Sequence, residues 1–98
     1  MEQKSYVYIL ASQRNGTLYI GVTSDLVRRT WEHREGIARG FTQKHGCKTL
    51  VYFEVFDDIS ESIRREKALK EWNRSWKLRM IESDDPTWRD LWDDINSP

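Results

Sequence analysis

Four side chains in the first third of the chain have the chemistry to bind a phosphate and to move a proton. Arg29 and His33 are four residues apart on a predicted helix, so both lie at one edge of its apolar arc. That predicted arc consists of Leu26, Val27, Thr30 and Trp31. An arginine makes forked contacts with phosphate oxygens, and a histidine takes or gives a proton near neutral pH. Tyr8 and Tyr19 add two hydroxyls on the strands that precede this helix. These residues also have ordinary explanations that involve no chemistry. The tyrosines would be half-buried and pack on a sheet, and the arginine and histidine would be exposed to solvent.

Glu66 is the other residue whose position indicates chemistry. At 100° per residue, the core-facing arc of the second long helix is defined by Ile59, Ile63 and Leu69. Glu66 falls in the middle of that arc, where a carboxylate is costly unless it is paired or holds a metal. An ion pair with Lys70, four residues further on, is one explanation. The other is a ligand for one hard divalent ion, which a single carboxylate can hold together with substrate phosphate and waters.

The hairpin that carries the tyrosines places both on one face, because side chains alternate along a strand. The opposite face is wholly apolar and predicts the core side: Val7, Ile9, Ala11, Leu18, Ile20 and Val22. Asn15-Gly16 is a strong signal for a two-residue turn. Such a turn would leave Tyr8 and Tyr19 four residues out of register, about 13 Å apart along the strands. We therefore predict a wider loop, with the register shifted by two or four residues.

The elements that position these residues alternate between strand and helix patterns. The predicted strands are residues 5–11, 17–22 and 48–56. The predicted helices are residues 25–35, 60–72 and 76–82, followed by a last short helix capped by Thr87. A polar loop with three glycines joins the first helix to the third strand. This order predicts an α+β fold, in which a small three-stranded, antiparallel-type sheet is flanked by helices.

The composition is that of a single folded domain. The 98 residues are enough for one modest core, and the single cysteine, Cys47, has no partner for an internal disulfide. The longest apolar runs are about five residues, far below the ~20 needed to span a bilayer. No signal-peptide pattern follows the N-terminus, so we expect a cytoplasmic protein without a membrane partner.

Charge divides the chain into a basic body and an acidic tail. Residues 1–80 hold 15 Lys and Arg against 10 Asp and Glu, whereas residues 81–98 hold one against six. We predict a domain over residues 1–82 and an acidic, Trp-containing helical extension over 83–98, packed on the same domain. A basic surface suits a phosphate backbone, although it can also be merely solvated. The predicted nucleic-acid contacts are Arg28, Arg65, Lys67, Lys70 and Arg74.

Three motifs together resemble the GIY-YIG endonuclease superfamily, in particular its small single-domain bacterial members. Tyr6-Val7-Tyr8 is followed by Tyr19-Ile20-Gly21, with eleven residues from Tyr8 to Tyr19, and then by Arg29. Residues 65–72 resemble the later helix of those proteins, and residues 85–91 resemble the segment with which those proteins end. The resemblance covers nearly the whole chain.

The resemblance implies a small sheet flanked by helices and hydrolysis of nucleic-acid phosphodiesters with a divalent metal. It matches Tyr8 and Tyr19 to the two motif tyrosines. It matches Arg29 to the catalytic arginine and Glu66 to the metal-binding glutamate. His33 falls where members of the family carry a histidine or a tyrosine.

The chain departs from the family pattern at two positions. Tyr6 replaces the glycine of the first motif, which restricts the approach of another backbone there. Val22 stands where some relatives have a lysine, which puts one phosphate contact in doubt.

These features predict a metal-dependent endonuclease that hydrolyses DNA with one Mg²⁺ or Mn²⁺ ion and is structure-selective or weakly sequence-specific. DNA is favoured over RNA, and the chain is expected to be a monomer or a homodimer. The sequence does not decide which of Tyr8, Tyr19 and His33 is the general base. Two alternatives stay open: a non-cleaving nucleic-acid-binding module, and a protein-interaction domain that uses Trp88 and Trp92 of the acidic tail, which could also fold back and mask the basic body.

Overall fold

The computed structural model describes residues 3–38 and 40–96. Its elements in chain order are β1 (Ser5–Ala11), β2 (Leu18–Thr23), α1 (Leu26–Arg34), α2 (Phe41–His45), β3 (Thr49–Phe56), α3 (Ile59–Glu71), α4 (Arg74–Asp84) and α5 (Trp92–Ile95). The strands form one antiparallel sheet in the order β2-β1-β3, with helices on both faces. The predicted α+β architecture is therefore confirmed. In the described ranges, no helix has the length and apolar character needed to cross a bilayer.

The register of the β1–β2 hairpin confirms the prediction of a wide loop. Tyr8 lies opposite Gly21, and Leu10 lies opposite Tyr19. The register is shifted by two residues from that of a two-residue turn at Asn15-Gly16. Tyr8 and Tyr19 are consequently two residues apart along the sheet, which brings their rings into contact range.

Local hydrogen bonds close this loop over residues 13–16. The Ser12 N–H donates to the Thr17 carbonyl (3.0 Å), and the Thr17 N–H donates to Ser12 Oγ (2.9 Å). Inside the loop, the Gly16 N–H donates to the Gln13 carbonyl (2.9 Å). Asn15 adopts the left-handed conformation (φ 60°), which asparagine tolerates better than most residues. The Asn-Gly signal thus marks a turn, but one inside a longer loop.

Both faces of the sheet are buried. The predicted core face packs with α3, α4 and the tail, and its buried residues include Val7, Ile9, Ile20, Leu69, Ile81 and Trp88. The tyrosine face forms a second core with α1 and the segment before β3, and its buried residues are Tyr8, Leu10, Leu26, Cys47 and Leu50. As the central strand, β1 is covered on both sides. Tyr8 packs on the sheet, as the ordinary explanation expects, but it is 1% exposed and therefore more deeply buried than half-buried packing implies.

Helix α1 presents a different side to the core from the one predicted. Leu26, Thr30 and His33 are its buried residues. Val27 and Trp31, which were expected in the apolar arc, are instead exposed. The buried side is therefore turned toward His33, which becomes a core residue.

Helix α3 shows a similar rotation. Ile59 and Ile63 are exposed, whereas Ser62 and Leu69 are buried. The Ser62 hydroxyl lies 2.6 Å from that of Ser5 on β1, so a polar contact replaces part of the expected apolar stripe. Glu66 shares the inward side, as predicted.

Helix α2 was not predicted, because its segment reads as a glycine-punctuated loop. Gly40 precedes it, and Gly46 ends it in the left-handed conformation (φ 67°) that commonly terminates helices. Thr42 is the buried residue of this helix and faces α1. The short helix thereby brings its side chains to the tyrosine face of the sheet.

The tail lies against the body of the domain. The Leu91 N–H donates to the Leu50 carbonyl (2.8 Å), and the Leu50 N–H donates to Asp90 Oδ1 (3.3 Å), which covers part of the outer edge of β3. Trp88 is buried in the first core, so it is not available as a contact surface for another protein. The predicted cap at Thr87 is wrong, since residues 85–91 are irregular and α5 begins only at Trp92.

Candidate active site

The tyrosine face of the sheet holds a cluster of three rings. The Tyr8 hydroxyl lies 3.2 Å from His33 Nε2. The ring centroids of Tyr8 and Tyr19 are 6.2 Å apart, and that of His33 lies 5.9 Å from Tyr8 and 5.6 Å from Tyr19. Strand alternation supplies the two tyrosines, and α1 supplies the histidine. The structure therefore brings together three of the residues singled out from the sequence.

Gly21 makes room for this cluster. A Cβ at this position would lie 2.6 Å from both Cζ and Oη of Tyr8, and 3.0 Å from Cε2 of Tyr19. The glycine opposite Tyr8 is thus the space into which the tyrosine ring extends. The absence of a side chain at Gly21 therefore accommodates the Tyr8 ring, and it also lets other groups approach the backbone.

His33 is held between two hydroxyls. Its Nε2 faces Tyr8, and its Nδ1 lies 2.8 Å from Thr42 Oγ1 on α2. Burial, reinforced by the positive charge of Arg29, lowers the pKa of His33 to about 4. The imidazole is therefore neutral at pH 7, with one nitrogen that donates and one that accepts a proton. Tyr8, His33 and Thr42 form a hydrogen-bonded chain.

Arg29 lies beside the Tyr8 hydroxyl. Burial raises the pKa of Tyr8 to about 12, and the nearby Arg29 partly opposes that rise. Tyr8 consequently keeps its proton at neutral pH. Arg29 Nη1 donates to Glu32 Oε1 (3.0 Å), and Arg28 also pairs with Glu32 (3.5 Å). Since the Arg29 side chain is still partly exposed, it remains accessible to a phosphate.

Sequence reasoning missed Glu32 and Thr42, which hold Arg29 and His33 in place. Glu32 follows Arg29 by three residues, which is a recognisable helical ion-pair spacing. Thr42 could have been found only through α2, whose bracketing glycines, Gly40 and Gly46, are its signal in the sequence.

Glu66 is placed on α3 with its side chain 16% exposed, and Lys70 Nζ lies 3.5 Å from its Oε2. The ion pair thus joins Glu66 to Lys70 and not to a member of the ring cluster. Lys70 itself lines a groove of about 310 Å³ together with Tyr19, which connects the two regions. Among the residues that the structure describes, no group of three or more His, Cys, Asp or Glu could hold a metal ion. A divalent ion at Glu66 would therefore need ligands from substrate and water.

The five predicted nucleic-acid contacts differ in availability. Arg65 makes a forked contact with Glu54 (both 2.9 Å), and Arg74 donates to the carbonyls of Asn15 and Gly16 in the hairpin loop. These two arginines stabilise the fold. The other three side chains are exposed: Arg28, Lys67 and Lys70. Three carboxylates of the tail pair with arginines. Arg34 pairs with Asp90, and Arg89 pairs with both Asp85 and Asp94.

Comparisons with known proteins identify relatives that match most of the chain. The chain is 36% identical to a UPF0213 protein from Staphylococcus saprophyticus over 78 residues, covering 80% of this chain and 94% of that one. A UPF0213 protein from Haloquadratum walsbyi is 35% identical over 82 residues, with coverages of 84% and 91%. The solution NMR structure of a UPF0213 protein from Bacillus halodurans superposes with a TM-score of 0.56 at 28% identity, covering 92% of this chain and 95% of that one.

The family model of the GIY-YIG catalytic domain matches residues 4–79, a range that contains both motif tyrosines, Arg29, His33 and Glu66. This match spans most of the chain. The chain therefore belongs to the GIY-YIG family.

Proposed function

We propose that this protein is a metal-dependent endonuclease that hydrolyses phosphodiester bonds in DNA, with structure-selective or weakly sequence-specific cleavage. The observation that carries the proposal is the hydrogen-bonded chain Tyr8–His33–Thr42 with Arg29 beside the Tyr8 hydroxyl. A structural core does not need a tyrosine, a neutral histidine and a partly exposed arginine at one point. These three groups suit phosphodiester hydrolysis, which is accelerated by a donor to the phosphate oxygens and by an acceptor for the proton of the attacking water.

Arg29 binds the phosphate in this proposal. Its guanidinium donates to the non-bridging oxygens and stabilises the negative charge that develops on them. Glu32 keeps the arginine oriented while leaving part of it accessible. Tyr19 forms the neighbouring wall and orients the scissile group.

Tyr8 and His33 handle the proton. A Tyr8 pKa of about 12 makes a free tyrosinate a costly intermediate, so the hydroxyl acts as a relay. It takes a proton from the attacking water while its own proton passes to His33 Nε2, and Nδ1–H donates to Thr42 Oγ1. Burial is the main cause of the low pKa of His33 in the free protein, and the positive charge of Arg29 lowers that pKa further. A bound phosphate offsets that charge, so substrate binding makes His33 a better base.

Glu66 is the residue that would hold the metal ion. One sheltered carboxylate fits Mg²⁺ or Mn²⁺, which commonly use one or two carboxylates and fill their coordination with phosphate oxygens and waters. When bound, the ion would stabilise charge on the phosphate and on the leaving oxygen. Lys70 pairs with Glu66 only at 3.5 Å and is half exposed, so it can move aside.

The test is nicking of supercoiled plasmid with Mg²⁺, with Mn²⁺ and with chelator. Glu66→Ala should abolish nicking and leave the fold and DNA binding intact. Glu71→Ala is the matched control, since it removes an exposed carboxylate from the same helix. Nicking that survives chelator, or equal activity of Glu66→Ala, would refute the metal assignment.

A non-cleaving nucleic-acid-binding module is the second candidate, and the Glu66–Lys70 ion pair is the observation that favours it. In that case Glu66 only balances Lys70. Highly purified protein would then bind DNA without nicking it in any metal.

A further inference from the structure

The outer edge of β2 carries an apolar groove next to the proposed site of chemistry. β2 is an outer strand of the sheet, and the groove of about 310 Å³ runs along it between α2 on one side and α3 and α4 on the other. Its lining residues are Leu18, Tyr19, Ile20, Phe41, Lys70 and Lys77. Tyr19 belongs both to this groove and to the ring cluster of the candidate active site.

Phe41 forms an exposed aromatic surface in this groove. Its side chain is 46% exposed, although it is among the largest apolar residues of the chain. Its ring stacks on Tyr19 at 6.1 Å with an interplanar angle of 30°, and His45 packs at 4.3 Å. The next residue, Thr42, is buried and bonded to His33, so α2 is anchored and the Phe41 ring is held in place.

The charges around Phe41 indicate what covers it. Among the described residues that line the groove, Lys70 and Lys77 are charged and none is acidic. Lys77 Nζ also lies 3.5 Å from the Lys70 carbonyl, so the two lysines lie along one wall. An aromatic face beside two ammonium groups fits a nucleotide, whose base is flat and whose phosphate is negative. An apolar peptide would bring no negative charge to these lysines, whose present partners are the Glu66 carboxylate for Lys70 and a backbone carbonyl for Lys77.

We propose that Phe41 is a stacking platform for an unpaired nucleobase of single-stranded DNA, with Lys70 and Lys77 contacting the adjacent phosphates. This proposal rests on the nuclease function, since it places the stacked base next to the phosphodiester at Tyr19 and Tyr8. A base inside a duplex is covered on both faces by its neighbours, so only an unpaired or extruded base can use the platform. The selectivity of the enzyme is therefore for DNA with unpaired bases, such as branches, flaps and single strands.

The experiment measures binding apart from cleavage. A fluorescein-labelled oligo-dT and a blunt duplex of the same length are titrated with protein by fluorescence anisotropy at low salt in chelator. Loss of one base–aromatic stack corresponds to a Kd that is roughly 5- to 100-fold weaker. Phe41→Ala should weaken oligo-dT binding by that factor and change duplex binding less than about twofold. Phe41→Trp should restore oligo-dT binding.

Trp31→Ala is the matched control, because Trp31 has a similar exposure (44%) and does not line the groove. It should bind oligo-dT as the wild type does. Phe41→Leu keeps apolar packing without the aromatic face, so it should behave like Phe41→Ala even if the alanine variant is unstable. Unchanged oligo-dT affinity in Phe41→Leu, or an equal loss in Trp31→Ala, would overturn the proposal.

The outcomes for the platform and for the nuclease are separate. If Phe41 variants lose oligo-dT binding while no metal supports nicking, the platform stands and the nuclease function fails. If the wild type nicks DNA with metal while Phe41 variants bind and cut single strands normally, the nuclease stands and the platform is overturned. Capture of an apolar peptide with no competition by oligo-dT would also overturn it.

Discussion

Gly21→Ala tests whether the glycine of the second motif is required by the ring of Tyr8. Alanine in a strand is ordinarily more favourable than glycine by about 0.5–1 kcal/mol, since it loses less backbone entropy on folding. Here, however, the new Cβ would lie 2.6 Å from Tyr8 Cζ and Oη and 3.0 Å from Tyr19 Cε2. Tyr8 lies in the central strand and is only 1% exposed, so its ring cannot move away without disturbing the second core.

The magnitude follows from these two opposing effects. Overpacking a well-packed core costs about 1–3 kcal/mol, which exceeds the gain from alanine. We expect the free energy of unfolding to fall by about 1–2 kcal/mol and the Tm to fall by roughly 4–15 °C. Displacement of the Tyr8 ring also breaks its 3.2 Å contact with His33. Nicking activity should therefore decline in the same variant.

Urea unfolding followed by tryptophan fluorescence measures this effect, and a double-mutant cycle identifies its cause. In a Tyr8→Leu background the ring is gone, so Gly21→Ala should become neutral or stabilising. A Gly21→Ala protein as stable as the wild type would refute the packing explanation. An equal loss in both backgrounds would refute the assignment to Tyr8.

Two further predictions concern His33 and the tail. Because the pKa of His33 is about 4 in the folded protein and 6.5 for an unperturbed histidine, the unfolded chain binds the proton first as the pH falls. The free energy of unfolding should then decrease by about 3 kcal/mol between pH 6.5 and pH 4 and stay constant below pH 4. Urea titrations at a series of pH values measure this change. In His33→Gln most of the pH dependence of the free energy of unfolding should be absent. Trp88→Ala should cost about 3–5 kcal/mol, because Trp88 is buried in the first core. Truncation after Ser83 should accordingly destabilise the domain and not simply unmask the basic body, whereas a truncated protein with unchanged Tm would contradict this packing.

The parity of the two tyrosines could be predicted from the sequence because strand alternation has a strict period of two. The width of the loop followed from the requirement that Tyr8 and Tyr19 meet, although Asn15-Gly16 alone indicated a tighter turn. The three-stranded sheet followed from β-rich runs separated by turn residues. These features depend on local patterns.

The side of α1 that faces the core could not be predicted in the same way. Val27 and Trp31 are more apolar than Thr30 and His33, yet they face solvent, because Tyr8 and Thr42 satisfy the histidine in the interior. The buried position of His33 depends on partners from distant segments, and helical periodicity contains no information about them. Helix α2 was missed for a related reason, since five residues between glycines are too few for a periodic signal.

The environment of Glu66 was predicted in part. Its inward position on α3 was predicted correctly, but the stripe around it was not, because Ser62 is buried and Ile63 is exposed. The ion pair with Lys70 agrees with one of the two explanations that helical spacing left open. Metal binding by Glu66 therefore stays a proposal.

The central claim is that the Tyr8 hydroxyl is part of a reaction centre and not only of a core. The direct measurement is the nicking rate of Tyr8→Phe on supercoiled plasmid with saturating Mg²⁺. Phenylalanine keeps the ring that fills the space over Gly21 and removes only the hydroxyl that contacts His33. We predict a rate about 10²–10⁴-fold below that of the wild type, with DNA affinity unchanged. A Tyr8→Phe protein that nicks as fast as the wild type would contradict the claim.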